Sequence, residues 1–201
     1  MTIFGYKPST LTLWVVLALP GLPLIPALFG DDSQAFHRLL HPTGEWAARF
    51  MIIGMMASGL MLLFKGRRWP RWLVHHRRDI EVAAFVYAAL HTAVYVIDLG
   101  TLDRIVEALW RTEIWTGWLA MLIFVPLAVT SNNAAQRWLQ TGWKTLQRWA
   151  YPAAILVLLH WAALHDWGSW GPAAIHFGPL VGLWGYRLWY WYLRPRVALA
   201  A

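Results

Sequence analysis

The sequence predicts an all-α integral membrane protein: a bundle of six transmembrane helices with both termini on the cytoplasmic side. Three observations predict it. Hydrophobic residues fill 59% of 201 positions and charged residues only 13%, more apolar surface than a soluble domain of this length can hide. Six apolar stretches approach the roughly 20 residues needed to cross a hydrocarbon core of about 30 Å. The basic residues concentrate in every second connection.

The six spans read as Leu11–Phe29, Trp46–Phe64, Ile80–Ile97, Ile114–Thr130, Trp149–Leu164 and Ala174–Leu193. The first follows Lys7, contains Pro20, Pro23 and Pro26, and lacks a small-residue cleavage site, so it is expected to be a retained span rather than a signal peptide. Lys65, Arg67, Arg68, Arg71, Arg77 and Arg78 follow span two. Arg137, Lys144 and Arg148 follow span four, and Arg194 and Arg196 follow span six. The opposite connections carry Asp31, Asp32, Asp98, Asp103, Glu107 and Asp166. By the positive-inside rule the basic loops are cytoplasmic, and an even number of spans satisfies both sides. The net charge of +7 therefore reads as topology, which argues against nucleic acid as a partner. Many of the sixteen tryptophans stand near proposed span ends, where indole prefers the headgroup region. The six spans leave no room for a second domain, so residues 1–201 read as one transmembrane domain in membrane lipid.

The chain has no cysteine. That excludes thiolate-bound iron–sulfur clusters, disulfides and covalent c-type haem attachment, and leaves histidine as the natural ligand for a redox metal. Of eight histidines, His91 and His160 lie well inside apolar spans, where an ionisable group is costly without a partner. Each stands eleven residues beyond the proposed cytoplasmic start of its span. At about 1.5 Å per residue the two reach one depth in the outer half of the bilayer. Spans three and five run parallel, so the two imidazoles can face each other and bind a haem iron from both sides. Ala84 and Ala153, seven residues before each histidine, would leave room for a flat macrocycle. The competing reading is that each histidine only hydrogen-bonds a neighbouring helix; matched depth on two spans favours the shared haem. Tyr87 and Tyr95 are expected to pack or hydrogen-bond within the bundle. His41, with His37 one turn earlier, is read as a solvated outer loop residue, and His75 and His76 as residues of the basic loop. His41, His75 and His76 are weak metal-ligand candidates, and His165 and His176 lie near the outer surface.

The stretch Arg77–Tyr95, RRDIEVAAFVYAALHTAVY, resembles the third span of the ferric-reductase-like transmembrane family. Within that family it is most similar to the haem-binding membrane subunit of bacterial periplasmic methionine sulfoxide reductase systems. Thr130–Trp161, TSNNAAQRWLQTGWKTLQRWAYPAAILVLLHW, resembles the same subunit from span four through span five, and HPTG at His41–Gly44 matches its approach to span two. The resemblance implies a b-type cytochrome of the bacterial inner membrane. It would pass electrons from quinol of the quinone pool, or from a cytoplasmic flavin reductase, to a periplasmic molybdopterin-containing reductase, with His91 and His160 at the haem-ligand positions. It also exposes departures. Where the family carries a further histidine thirteen residues before the span-five ligand, this chain has Gln147, and Arg77 or Arg78 occupies the matching place on span three. One haem is therefore expected and a second is doubtful. Arg77 and Arg78 are candidates for holding a flavin phosphate, as of FMN, or another inner-site anion. Glu81 replaces a family glycine.

Two other functions remain open to the sequence. One is a haem-containing ferric or metal reductase, or a cytochrome for another oxidoreductase. The other is a small transporter or assembly factor without haem. No nucleophile, nucleotide loop or metal cage is recognisable, so no catalytic residue is assigned, and the chain reads as an electron-transfer subunit rather than a self-contained enzyme.

Overall fold

The computed structural model describes residues 8–194 except Asp31, Ser33, Asp166 and Ser169; Lys7, Asp31, Asp166 and Arg196 of the charge pattern therefore lie outside the described residues. Those described form helices and connections, with no strand among them. Among the described residues three helices are long and apolar enough to cross a membrane: α3 (Ala35–Leu63), α5 (Arg77–Leu99) and α7 (Thr112–Val129).

The N-terminal apolar run is broken by its prolines. It forms α1 (Pro8–Ala18), a 3₁₀ turn (Leu19–Gly21) and α2 (Leu24–Phe29). Proline removes the amide that would continue the ladder, which strands carbonyls at the end of α1. Tyr87 of α5 meets that need: its hydroxyl donates to the carbonyls of Leu17 at 3.0 Å and Ala18 at 3.3 Å. A buried tyrosine thus fastens the first segment to the bundle.

Helix α3 begins eleven residues before the expected start of span two, so His37 and His41 are helical rather than loop residues. Its 29 residues span about 43 Å at the α-helical rise. The expected start at Trp46 left Pro42 and the polar stretch before it outside the span. Pro42 is tolerated because it sits near the exposed N-terminal end, where water can reach the carbonyl it leaves unpaired. The connections expected to be loops are partly helical. A short amphipathic helix, α4 (Arg68–His75), fills the basic loop after α3, and α6 (Leu102–Ala108) follows α5. Two more, α8 (Asn133–Leu139) and α9 (Thr141–Gln147), link α7 to α10 (Ala150–Leu164). The Asn132 side chain caps α8 by accepting from the Ala135 amide at 2.8 Å. Helix α11 (Trp170–Leu188) ends in a π-helical turn, Trp189–Leu193.

Two helix pairs dominate the packing: α3 with α5, and α7 with α10; α11 closes against α3. The shared core runs through Met51, Met55, Tyr87, Ala154, Trp161 and Phe177. The outward faces stay apolar, with Leu122, Val129, Ile175 and Val181 all exposed, as lipid permits and water does not. Trp69, Trp110, Trp149 and Trp191 are exposed near helix ends.

Candidate cofactor site

His91 and His160 meet between the two helix pairs, with ring centroids 6.1 Å apart and ring planes at 78°. Both are held the same way. The Nδ1 of His91 lies 2.9 Å from the Leu40 carbonyl of α3, and the Nδ1 of His160 bonds the Glu113 carbonyl of α7. A carbonyl only accepts, so in each neutral imidazole Nδ1 must carry the proton. The lone pair is then on Nε2, which has no hydrogen-bond partner among the described residues in either ring. A carbonyl that accepts from Nδ1–H and so fixes the tautomer is the usual support of a metal-bound imidazole.

A metal–imidazole bond is about 2 Å, and two such bonds in line set the ring centroids about 6 Å apart. The observed separation fits one metal atom between the two rings. Both histidines line a cavity of about 500 Å³ that reaches His37, His41, Arg111 and His165 at one end and Met51, Phe124 and Val157 at the other. Its small wall residues are Gly44, Ala47, Ala48, Ala88, Gly117 and Ala120. Ala84 and Ala153 are elsewhere: Ala84 lines a separate inner void of about 50 Å³, and Ala153 is fully buried.

The wall also holds two orphaned polar groups. Among the described residues three buried side-chain polar atoms lack a hydrogen-bond partner, and two of them, Tyr95 Oη and Trp161 Nε1, belong to residues lining this cavity. Neither atom is exposed to the cavity space itself; an unmet buried donor costs about 1–3 kcal/mol, so a small side-chain rotation that brought either to a ligand's acceptor would be favoured. Haem, with an iron for two imidazoles, a flat apolar ring for the small-residue wall and carboxylates for polar donors, fits these residues.

At the end of the bundle expected to face outward, His41 is exposed, lies 3.9 Å from Glu45 and approaches the rings of Trp161 and His165 edge-on. His37 bonds Asp98 at 3.1 Å, and His176 lies 3.6 Å from Glu45. At the opposite end, expected to face the cytoplasm, His76 is buried against Asp79 at 3.2 Å, beside His75. Among the described residues no three of His, Asp and Glu converge as a cage for a metal ion.

The inner half of the bundle is occupied differently. Gln147 is a strut, its amide donating to the Leu127 carbonyl at 3.2 Å and to Thr130 Oγ1 at 3.3 Å. Glu81 pairs with Arg77 at 2.7 Å and packs on Gly54 of α3, where a β-carbon would come within 2.7 Å of the glutamate Cγ. The glycine facing Glu81 supplies room that the glutamate consumes. Below lies a cavity of about 480 Å³ lined by His75, Arg77, Arg78, Lys144, Gln147 and Arg148 among others. Arg78 donates to the side chains of Asn133 and Gln136.

Comparison with known proteins yields a sequence family described as "Ferric reductase like transmembrane component", which matches residues 43–158, more than half of the chain. A protein of Agrobacterium fabrum named protein-methionine-sulfoxide reductase heme-binding subunit MsrQ is 31% identical over 198 residues, covering 96% of this chain and 87% of that protein. Its namesake in Xanthomonas euvesicatoria is 34% identical over 165 residues, covering 80% and 72% respectively. No solved structure matches. The matched family segment contains His91 and ends two residues before His160.

Proposed function

This chain belongs to the ferric reductase like transmembrane component family, and from that premise we propose that it is a b-type haem electron-transfer subunit of the bacterial inner membrane, with His91 and His160 as the axial ligands. One observation carries the reading. Two imidazoles stand 6.1 Å apart across one cavity, each with Nδ1 committed to a backbone carbonyl and Nε2 uncommitted. The names of the relatives, heme-binding subunits of a methionine sulfoxide reductase, support it.

When bound, haem supplies the one-electron chemistry. This chain's own residues bind it, orient it and exclude water. Leu40 and Glu113 hold the imidazoles through their carbonyls. Tyr95 and Trp161 offer N–H and O–H donors to the haem carboxylates, with Arg111 and His41 at the outer mouth. In the proposed topology residues 1–201 form one domain of six spans with cytoplasmic termini. The confinement of Lys65 to Arg78 and Arg137 to Arg148 to alternate connections supports it.

One haem per chain is proposed, because Gln147 is engaged with α7 and Arg77 with Glu81 at the inner level. The electron donor is quinol or a cytoplasmic flavin reductase. The inner cavity with Arg77, Arg78, Lys144 and Arg148 is a fitting place for an anionic carrier such as FMN. The acceptor is a periplasmic molybdopterin-containing methionine sulfoxide reductase. The test is haem retention in purified His91→Ala and His160→Ala variants. Each is expected to lose the reduced-minus-oxidised b-type spectrum; full haem in both would sink the assignment.

A further inference from the structure

The two histidines are seated by one repeated device on the helices opposite them. His91 rests against Gly44 of α3, where a β-carbon would lie 3.0 Å from its Cε1 and 3.1 Å from its Nδ1. His160 rests against Gly117 of α7, where a β-carbon would lie 3.0 Å from both corresponding atoms. Each Nδ1 bonds the carbonyl four residues before its glycine, Leu40 or Glu113. Each glycine is preceded by a buried threonine whose hydroxyl donates back along its own helix. Thr43 reaches the carbonyls of Leu39 at 2.7 Å and Leu40 at 3.0 Å. Thr116 reaches those of Thr112 at 2.7 Å and Glu113 at 3.3 Å. The segments LHPTG (40–44) and EIWTG (113–117) thus do the same thing at the same level.

The physical reason lies in helix geometry. A helical side chain leans back over the preceding turn and covers the carbonyl four residues earlier. Glycine uncovers that carbonyl, so a ring from a neighbouring helix can approach sideways and donate to it. The threonine hydroxyl adds a fixed donor to the same carbonyl and, at the α3 seat, lies 3.3 Å from Nδ1 of His91.

We propose that Thr43–Gly44 and Thr116–Gly117 are matched imidazole seats, positioning residues on α3 and α7 that set the orientation and tautomer of the ligands carried by α5 and α10. The proposal rests on the reading of His91 and His160 as haem ligands. The electronic character of the bound haem is then governed from α3 and α7, which carry neither ligand.

The experiment compares purified Gly44→Ala, Gly117→Ala, Thr43→Val and Thr43→Ser with Gly59→Ala. Gly59 is the packing control: its β-carbon would meet Leu183 Cβ at 3.1 Å, as tight a contact but far from either histidine in the sequence and against an apolar neighbour. The readouts are haem per chain, the low-spin electron paramagnetic resonance spectrum and the midpoint potential. Both seat alanines are expected to shift the spectrum and the potential, or to lose haem, while Gly59→Ala keeps all three at wild-type values. Thr43→Val should shift the spectrum and Thr43→Ser should restore it. Seat variants indistinguishable from wild type, or a Gly59→Ala change as large as theirs, would overturn the seats. Absence of haem from the wild-type chain would instead overturn the ligand reading on which they rest.

Discussion

Removing the Tyr95 hydroxyl should act with opposite sign in the empty and the haem-loaded protein. The oxygen is buried on a cavity-lining residue and has no partner within the described protein. In the haem-free chain, Tyr95→Phe deletes an unmet polar group worth about 1–3 kcal/mol of penalty, so thermal stability should rise or hold. In the loaded chain the hydroxyl would donate to a haem carboxylate, a bond of about 2 kcal/mol to a charged acceptor. Its loss should raise the haem dissociation constant roughly thirtyfold. The assay pairs thermal unfolding of haem-free protein in detergent with haem transfer to an excess of apomyoglobin. A single sign in both states, or an unchanged haem affinity, would refute the view that the orphaned donors exist for the ligand.

Tyr87→Phe should release the N-terminal segment, because the carbonyls of Leu17 and Ala18 lose a buried donor worth about 1 kcal/mol or more. Amide exchange across residues 8–29 should quicken about fivefold or more, at about 1.4 kcal/mol per factor of ten, with haem content unchanged; unaltered exchange would remove the tyrosine as the fastener. Replacing Lys144 and Arg148 together by glutamine should slow reduction by a cytoplasmic flavin reductase while haem content stays constant. Unchanged reduction would take the inner basic cavity out of the electron route.

The convergence of His91 and His160 was legible in the sequence because helix rise is fixed: equal counts from the start of two parallel spans give equal depth. The two readings weighed for those histidines are not exclusive. Each does hydrogen-bond a neighbouring helix, through Nδ1, and that bond is what leaves Nε2 available. The seats were not legible. HPTG stood out as a motif, but Pro42 and the polar residues before it hid the fact that α3 starts at Ala35. At 116–117 the threonine and glycine sit inside an apolar run and leave no trace in hydropathy. Pairing two-residue signals between helices needs the packing, which sequence periodicity does not carry.

Ala84 and Ala153 illustrate a different limit. A seven-residue spacing puts each on nearly the same helix face as its histidine, but a face is long: the cavity of the histidines reaches in to Met51, Ala88, Phe124 and Val157, while Ala84 lines a separate void beyond it and Ala153 is fully buried. Gln147 could be recognised as a poor ligand, whereas its role as a strut to Leu127 and Thr130 depends on how α9 folds beneath α7. The short helices of the connections were missed for a related reason. Short amphipathic segments such as α4 mix tryptophan with arginine and register as neither span nor helix by hydropathy alone.

The most direct test of the central claim is the haem content of the purified wild-type chain, from a pyridine haemochrome assay read beside a reduced-minus-oxidised spectrum. One b-haem per chain is the predicted result, matching a single imidazole pair and an inner level engaged by Gln147 and Glu81. No haem after supplementation, or two haems per chain, would contradict it.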